Sequence, residues 1–132
     1  MKDILINKFT LVMMGGAIGS LLRYVIQGWG QSLVRGTFPT GTLAVNVLGC
    51  FLIGFLNMVF SGPIPVRMEY RIGLTVGVLG GFTTFSSFGW ESFSMANDGQ
   101  GLRAMVNMLS SVTLGFLAVW AGYRLAEHVF GI

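Results

Sequence analysis

The sequence predicts an all-α membrane protein with four transmembrane helices, the third broken mid-membrane. Three observations carry that expectation. Of 132 residues, 53% are hydrophobic and only 10% are charged, whereas soluble domains are about a quarter charged. Four windows, 9–30, 40–60, 72–90 and 104–123, are apolar and almost free of charge, and each is long enough to cross a bilayer. The third window contains Gly80-Gly81-Phe82-Thr83-Thr84-Phe85-Ser86-Ser87-Phe88, whose paired glycines and β-branched and hydroxyl residues weaken a helix at its centre.

The first span, about 9–30, carries Gly15 and Gly19 on one face, a surface for close helix contact. Lys2 and Lys8 before an apolar run, with Ala17 and Gly19 imitating a cleavage site, also fit a signal peptide. Tyr24, Val25, Ile26 and Trp29 extend the run past Arg23 to spanning length, which favours a retained helix. Gly36 and Pro39 break the chain before the second span, about 40–60, which contains Asn46, Gly49 and Gly54. Ser61-Gly62-Pro63-Ile64-Pro65 is a stop signal. The third span, about 72–96, is expected to break at Gly80-Gly81 and to resume towards Ala96. Asn97-Asp98-Gly99 is a turn, and the fourth span covers about 102–127. The four spans use most of the chain, so residues 1–132 form one transmembrane domain. Short connections make neighbouring helices antiparallel.

Lys2, Lys8, Arg67, Arg71 and Arg124 fall on one side of the membrane, and Arg35 and Arg103 on the other. This bias favours the N-terminus inside, and its small size leaves a dual orientation open. Four short helices enclose little volume, and glycine-rich faces suggest self-association, most simply as a dimer.

Enzyme chemistry finds no support. His128 is the only histidine, Ser86 and Ser87 have no base nearby in sequence, and no span holds paired carboxylates. Nucleic-acid binding is equally unsupported. The one cysteine, Cys50, is a small packing residue and excludes an internal disulfide. Ion handling fits better. Arg23 lies inside a span, either as a functional charge or snorkelling to an interface. Asn46 is either helix–helix glue or a pore donor. Asn107 and Ser111 share one face of the fourth helix, and Phe85 and Phe88 share one face after the break, where aromatic pairs are ordinarily packing. Amides, hydroxyls and phenyl ring edges favour an anion. Carbonyls freed at a break favour a small cation. Glu91 follows Trp90, near the interface.

These segments resemble a known family. Gly80 to Phe88 with Glu91 is similar to the third-helix signature of the Fluc (CrcB) fluoride channels. Pro39-Thr40-Gly41-Thr42-Leu43-Ala44-Val45-Asn46 resembles that family's second-helix opening, and Gly15-Gly16-Ala17-Ile18-Gly19-Ser20-Leu21-Leu22-Arg23 its first helix. The resemblance covers nearly the whole chain. It implies a multi-pass protein of the cell (inner) membrane that exports cytoplasmic fluoride passively. It implies an antiparallel, dual-topology homodimer with two fluoride pathways. Phe85 and Phe88 would present ring edges to fluoride and Asn46 an amide, with Ser87, Asn107 and Ser111 continuing a polar track and Arg23 at the vestibule. Gly115 falls where that track would place a further side chain. The resemblance also implies a structural sodium ion (Na+) at the dimer centre, held by the backbone oxygens of Gly80 and Thr83 from both subunits. A proton-coupled drug exporter of similar size would need a membrane carboxylate, and the first span offers Arg23 and no acid. A non-transporting membrane subunit is the other alternative.

Overall fold

The computed structural model describes residues 7–62 and 64–131; Lys2 and Pro63, which figure in the readings above, lie outside them. Helix α1 is Lys8–Ser32, capped by Asn7, whose Oδ1 accepts the Phe9 N–H at 3.1 Å. Helix α2 is Thr40–Ser61. The third span is built of pieces: α3 (Met68–Ile72), a π-helical stretch (Gly73–Leu79), α4 (Gly80–Phe82) and α5 (Phe85–Asn97). Helix α6 is Gly101–Phe130 and ends at Gly131, which adopts a left-handed φ of 68°. Four helical segments, Lys8–Ser32, Thr40–Ser61, Met68–Asn97 and Gly101–Phe130, are long and apolar enough to cross a membrane. The protein is a multi-pass membrane protein.

The third span is interrupted, but not where the glycines stand. Gly80 is right-handed helical, with φ −63° and ψ −38°, and Gly81 lies within α4. The extended residues are Thr83 (φ −85°, ψ 159°) and Thr84 (φ −147°, ψ 115°). This corrects the expectation of a break at Gly80-Gly81. β-Branched threonines fit extended backbone, and a threonine also caps a following helix. Thr84 does so here: its Oγ1 accepts the Ser87 N–H at 3.1 Å.

The glycines serve packing instead. A β-carbon on Gly15 would sit 2.6 Å from the Gly73 carbonyl oxygen, and one on Gly19 would collide with the Val78 carbonyl. From the other side, a β-carbon on Gly81 would come within 2.7 Å of the Gly16 carbonyl oxygen. Helix α1 and the π-helical stretch thus meet backbone to backbone, the small-residue contact of membrane helices. The Gly15/Gly19 face is therefore filled within one chain, so it does not supply the self-association surface for which the glycines were enlisted. A second seam joins α2 to α6, where β-carbons on Gly54 and Gly122 would strike the carbonyls of Val119 and Phe51.

The two halves of the third span have different neighbours. The part before the break packs on α1, whereas α5 packs on α6. Helix α6 makes its main contact with α2. At the end of the protomer where α2 and α6 finish, Met58, Val59, Phe60 and Ala126 form a buried apolar cluster. Much of the remaining apolar surface faces outwards, including Met13, Leu21, Leu109, Val112 and Phe116, as lipid-facing helices require.

The α1 seam predicts a contrast. Gly19→Ala should destabilise the protein by about 1–3 kcal/mol, because backbone cannot yield to the new methyl. Gly16→Ala should leave stability unchanged, since a β-carbon there meets nothing within 4 Å. Denaturant unfolding in detergent micelles, followed by tryptophan fluorescence, distinguishes the two; equal stability would remove the seam as a constraint.

Candidate functional site

The break sets free backbone groups that lipid cannot satisfy. Asn46 of α2 takes both groups of Thr84. Its Oδ1 accepts the Thr84 N–H at 2.8 Å, and its Nδ2 donates to the Thr84 carbonyl at 3.0 Å. The primary amide thereby replaces a neighbouring peptide unit. Thr84 itself is only 5% exposed, so these groups have no access to bulk solvent.

The same bonds strip two other carbonyls of their helical donors. In a continuous helix the Thr84 N–H would serve the Gly80 carbonyl, but it is held by Asn46. The Ser87 N–H would serve the Thr83 carbonyl, but it is held by Thr84 Oγ1. The Thr83 side chain is otherwise occupied, with Oγ1 donating to the Leu79 carbonyl at 2.9 Å.

A concave cavity of about 410 Å³ opens beside the break. Its walls include Asn46, Gly80, Thr83, Phe85, Phe88 and Ser111, so residues picked out separately from the sequence meet in one place. The Phe85 and Phe88 rings are tilted at 48° with centroids 5.6 Å apart. Phe85 is 83% exposed, which is not how a core residue sits in one chain. Three further residues stand differently. Ser87 lies in the first turn of α5, and its Oγ accepts from Thr84 Oγ1 at 3.0 Å. Asn107 is 2% exposed and donates from Nδ2 to Ser92 Oγ at 2.9 Å. Arg23 is half-buried on α1 and is not among the cavity-lining residues. Gly115 is buried against Cys50, whose Sγ would lie 3.4 Å from a β-carbon there.

Sequence reasoning passed over two features. One is Thr84, the hub of the break; its signal was a β-branched hydroxyl residue three places before Ser87, the spacing of an N-cap. The other is a polar chain near one end of the protomer. Gln27 Nε2 donates to Thr42 Oγ1 at 2.9 Å, and Thr42 Oγ1 donates to Glu91 Oε1 at 2.5 Å. Its signal was Gln27, the one amide within the first window, 9–30.

The Asn46 brace predicts that Asn46→Leu leaves both backbone groups of Thr84 unpaired in a buried site. Each should cost about 1–3 kcal/mol. Asn46→Asp, which retains the acceptor for the Thr84 N–H, should cost less. Unfolding in detergent measures both, and equal stability of Asn46→Leu and the parent protein would refute the brace.

Comparison with known proteins places the site in context. The family model described as CrcB-like protein, Camphor Resistance (CrcB), matches residues 10–123. The fluoride-specific ion channel FluC of Geobacter metallireducens is 45% identical over 114 residues, 86% of this chain and 92% of that protein. The protein of the same name from Solibacter usitatus is 44% identical over 121 residues, 92% and 99% of the two chains. That of Thermus thermophilus is 43% identical over 126 residues, 96% and 98% of the two chains. These relatives are channels, not enzymes. The matched region begins within α1, takes in the broken third span and ends within α6, and the chain accordingly belongs to the CrcB-like protein family.

Proposed function

We propose that the chain is a fluoride-specific channel that lets cytoplasmic fluoride leave passively, as an antiparallel homodimer with two pathways. Residues 1–132 act as one transmembrane domain in this reading. The observation that carries it is the cavity beside the break, where Asn46, Phe85, Phe88 and Ser111 converge on a site with no basic side chain. Fluoride is small and strongly hydrated, so a pathway must replace water with several donors, each weak enough to release the ion. Asn46 has a second Nδ2 proton beyond the one given to Thr84. Ser87 accepts from Thr84 and so keeps its own hydroxyl proton. Ser111 adds a hydroxyl at the wall. Phe85 and Phe88 supply positive ring edges. Asn107, with one amide proton on Ser92, continues the track, and Arg23 draws anions towards it.

The dimer reading is supported by what one chain leaves open. Phe85 and Gly80 are exposed beside the cavity, and a β-carbon on Gly80 would meet nothing nearer than the Thr75 oxygen at 4.0 Å. A second subunit covering this flank would close the cavity.

The Gly80 and Thr83 carbonyls, deprived of helical donors, are hard oxygen ligands of the kind that suits a sodium ion. Four such oxygens, two from each subunit, would hold it. Bound sodium would supply positive charge that compensates carbonyls otherwise bare in the membrane.

Purified protein in liposomes should release fluoride down its gradient without a proton gradient, with chloride far slower. Fluoride efflux no faster than from empty vesicles would overturn the reading and return the chain to a non-transporting role. Phe85→Ile and Phe88→Ile conserve bulk and should cost less than about 1.5 kcal/mol in stability. Their efflux should nevertheless fall steeply; normal efflux in both would make the rings packing alone. For the topology, Asn97→Cys in a Cys50→Ala background should react with an impermeant maleimide from both faces of the membrane. Reaction from one face only excludes the antiparallel dimer.

A further inference from the structure

Three polar side chains from three helices are joined end to end. Gln27 of α1 donates to Thr42 of α2, which donates to Glu91 of α5, at 2.9 Å and 2.5 Å. The other Glu91 oxygen, Oε2, is buried and finds no hydrogen-bond partner among the described residues. Glu91 borders a cavity of about 320 Å³ shared with Thr37, Trp90, Ser94, Asp98 and Gln100. Asp98 is the one other titratable group on that wall, and the Arg103 guanidinium stands beside it, donating to Thr37 Oγ1 at 2.9 Å and to Gln100 Oε1 at 2.8 Å. Thr42 lies one turn before Asn46, and Glu91 two turns beyond Thr84. The three-residue chain therefore bridges α1, α2 and α5 one to two turns away from the point where Asn46 holds the break.

A threonine hydroxyl has a single proton, which in a helix can also turn back to a carbonyl of the preceding turn. Gln27 fills an acceptor position on Thr42, and the hydroxyl proton is left pointing at Glu91. We propose that Gln27 is a positioning residue. Acting through Thr42, it tethers the Glu91 carboxyl group to α2 and keeps it from turning into the cavity that Glu91 borders. The inference rests on the channel reading above and adds to it that this second cavity is an approach for fluoride. A carboxylate free to swing there would meet an anion with like charge and raise the barrier to entry. Held by one oxygen, it leaves the approach open.

The test replaces Gln27 by Met, which keeps an unbranched side chain of similar volume and removes the amide. In liposomes, Gln27→Met should lower fluoride efflux about tenfold, the scale on which loss of the Thr42 bond to the charged Glu91 registers. Adding Gln27→Met to Thr42→Val should produce no further loss, because both act on one chain of bonds. Infrared spectroscopy of the purified protein gives a readout independent of flux. The Glu91 carboxyl band, identified by its loss in Glu91→Gln, should move alike in Gln27→Met and Thr42→Val. If Gln27→Met does not assemble, Gln27→Glu, isosteric but without the amide donor, should show the same shift. Parental efflux in Gln27→Met, additive losses in the double variant, or a Glu91 band unmoved in both Gln27 variants would each overturn the proposal. Should the parent protein itself pass no fluoride, the channel reading fails, and the infrared band still decides whether Gln27 positions Glu91.

Discussion

The structure depends on the pairing of one side-chain amide with one peptide unit. A span that breaks inside a bilayer frees N–H and C=O groups where water cannot reach them. Asn46 meets this by accepting from the Thr84 N–H and donating to the Thr84 carbonyl. The brace ties α2 to the centre of the third span and fixes the direction in which α5 departs. The Thr84 hydroxyl then caps α5 through the Ser87 N–H. Two residues on different helices thus stabilise an interruption that neither would support alone.

That interruption also lets one span serve two partners. Before it, Gly73–Leu79 and α4 lie against α1, through contacts so close that a methyl on Gly15 or Gly19 would meet backbone. After it, α5 lies against α6, where Asn107 and Ser92 form a buried hydrogen bond. The π-helical stretch brings Gly73 and Gly77 against Leu11 and Val12 of α1, where added β-carbons would each lie 3.0 Å from the nearest atom. Membrane helices gain little from burying apolar groups against one another rather than against lipid, so close packing and interhelical hydrogen bonds must hold the bundle. The third span carries a share of both, and the α2–α6 seam and the α1–α2 hydrogen bonds carry the rest.

Much of this was legible from residue types. Apolar windows indicated four spans, and the helical segments overrun them at their ends, most at the C-terminal ends of Met68–Asn97 and Gly101–Phe130, past windows that close at 90 and 123. The presence of a break was legible in Gly80 to Phe88, but its position was not. Glycine weakens a helix and also permits helices to touch, and composition cannot distinguish these uses; Gly81 turned out to press on Gly16 while Thr83 and Thr84 carry the extended backbone. Asn46 read equally as glue or as pore donor because one amide has enough protons for both. Gln27 was missed because its partner Thr42 is distant in sequence and the bond exists only once α1 and α2 are packed.

The polar groups left over from these bonds separate by sign. Asn46, Ser87 and Ser111 retain protons to donate after their structural bonds are made. Gly80 and Thr83 retain carbonyl oxygens that have lost their helical donors. Donors suit an anion and bare carbonyls suit a small cation, so one break supplies groups of both kinds from the same few residues. Mixing them would be self-defeating, since an anion beside unpaired carbonyls would be repelled. The chain sets them in order: residues 80–82 close one helix, whose end leaves carbonyls without donors, and Thr84 caps the start of the next. Both kinds of group border the one cavity, so under the function proposed above a cation on the carbonyls would spare an anion that repulsion.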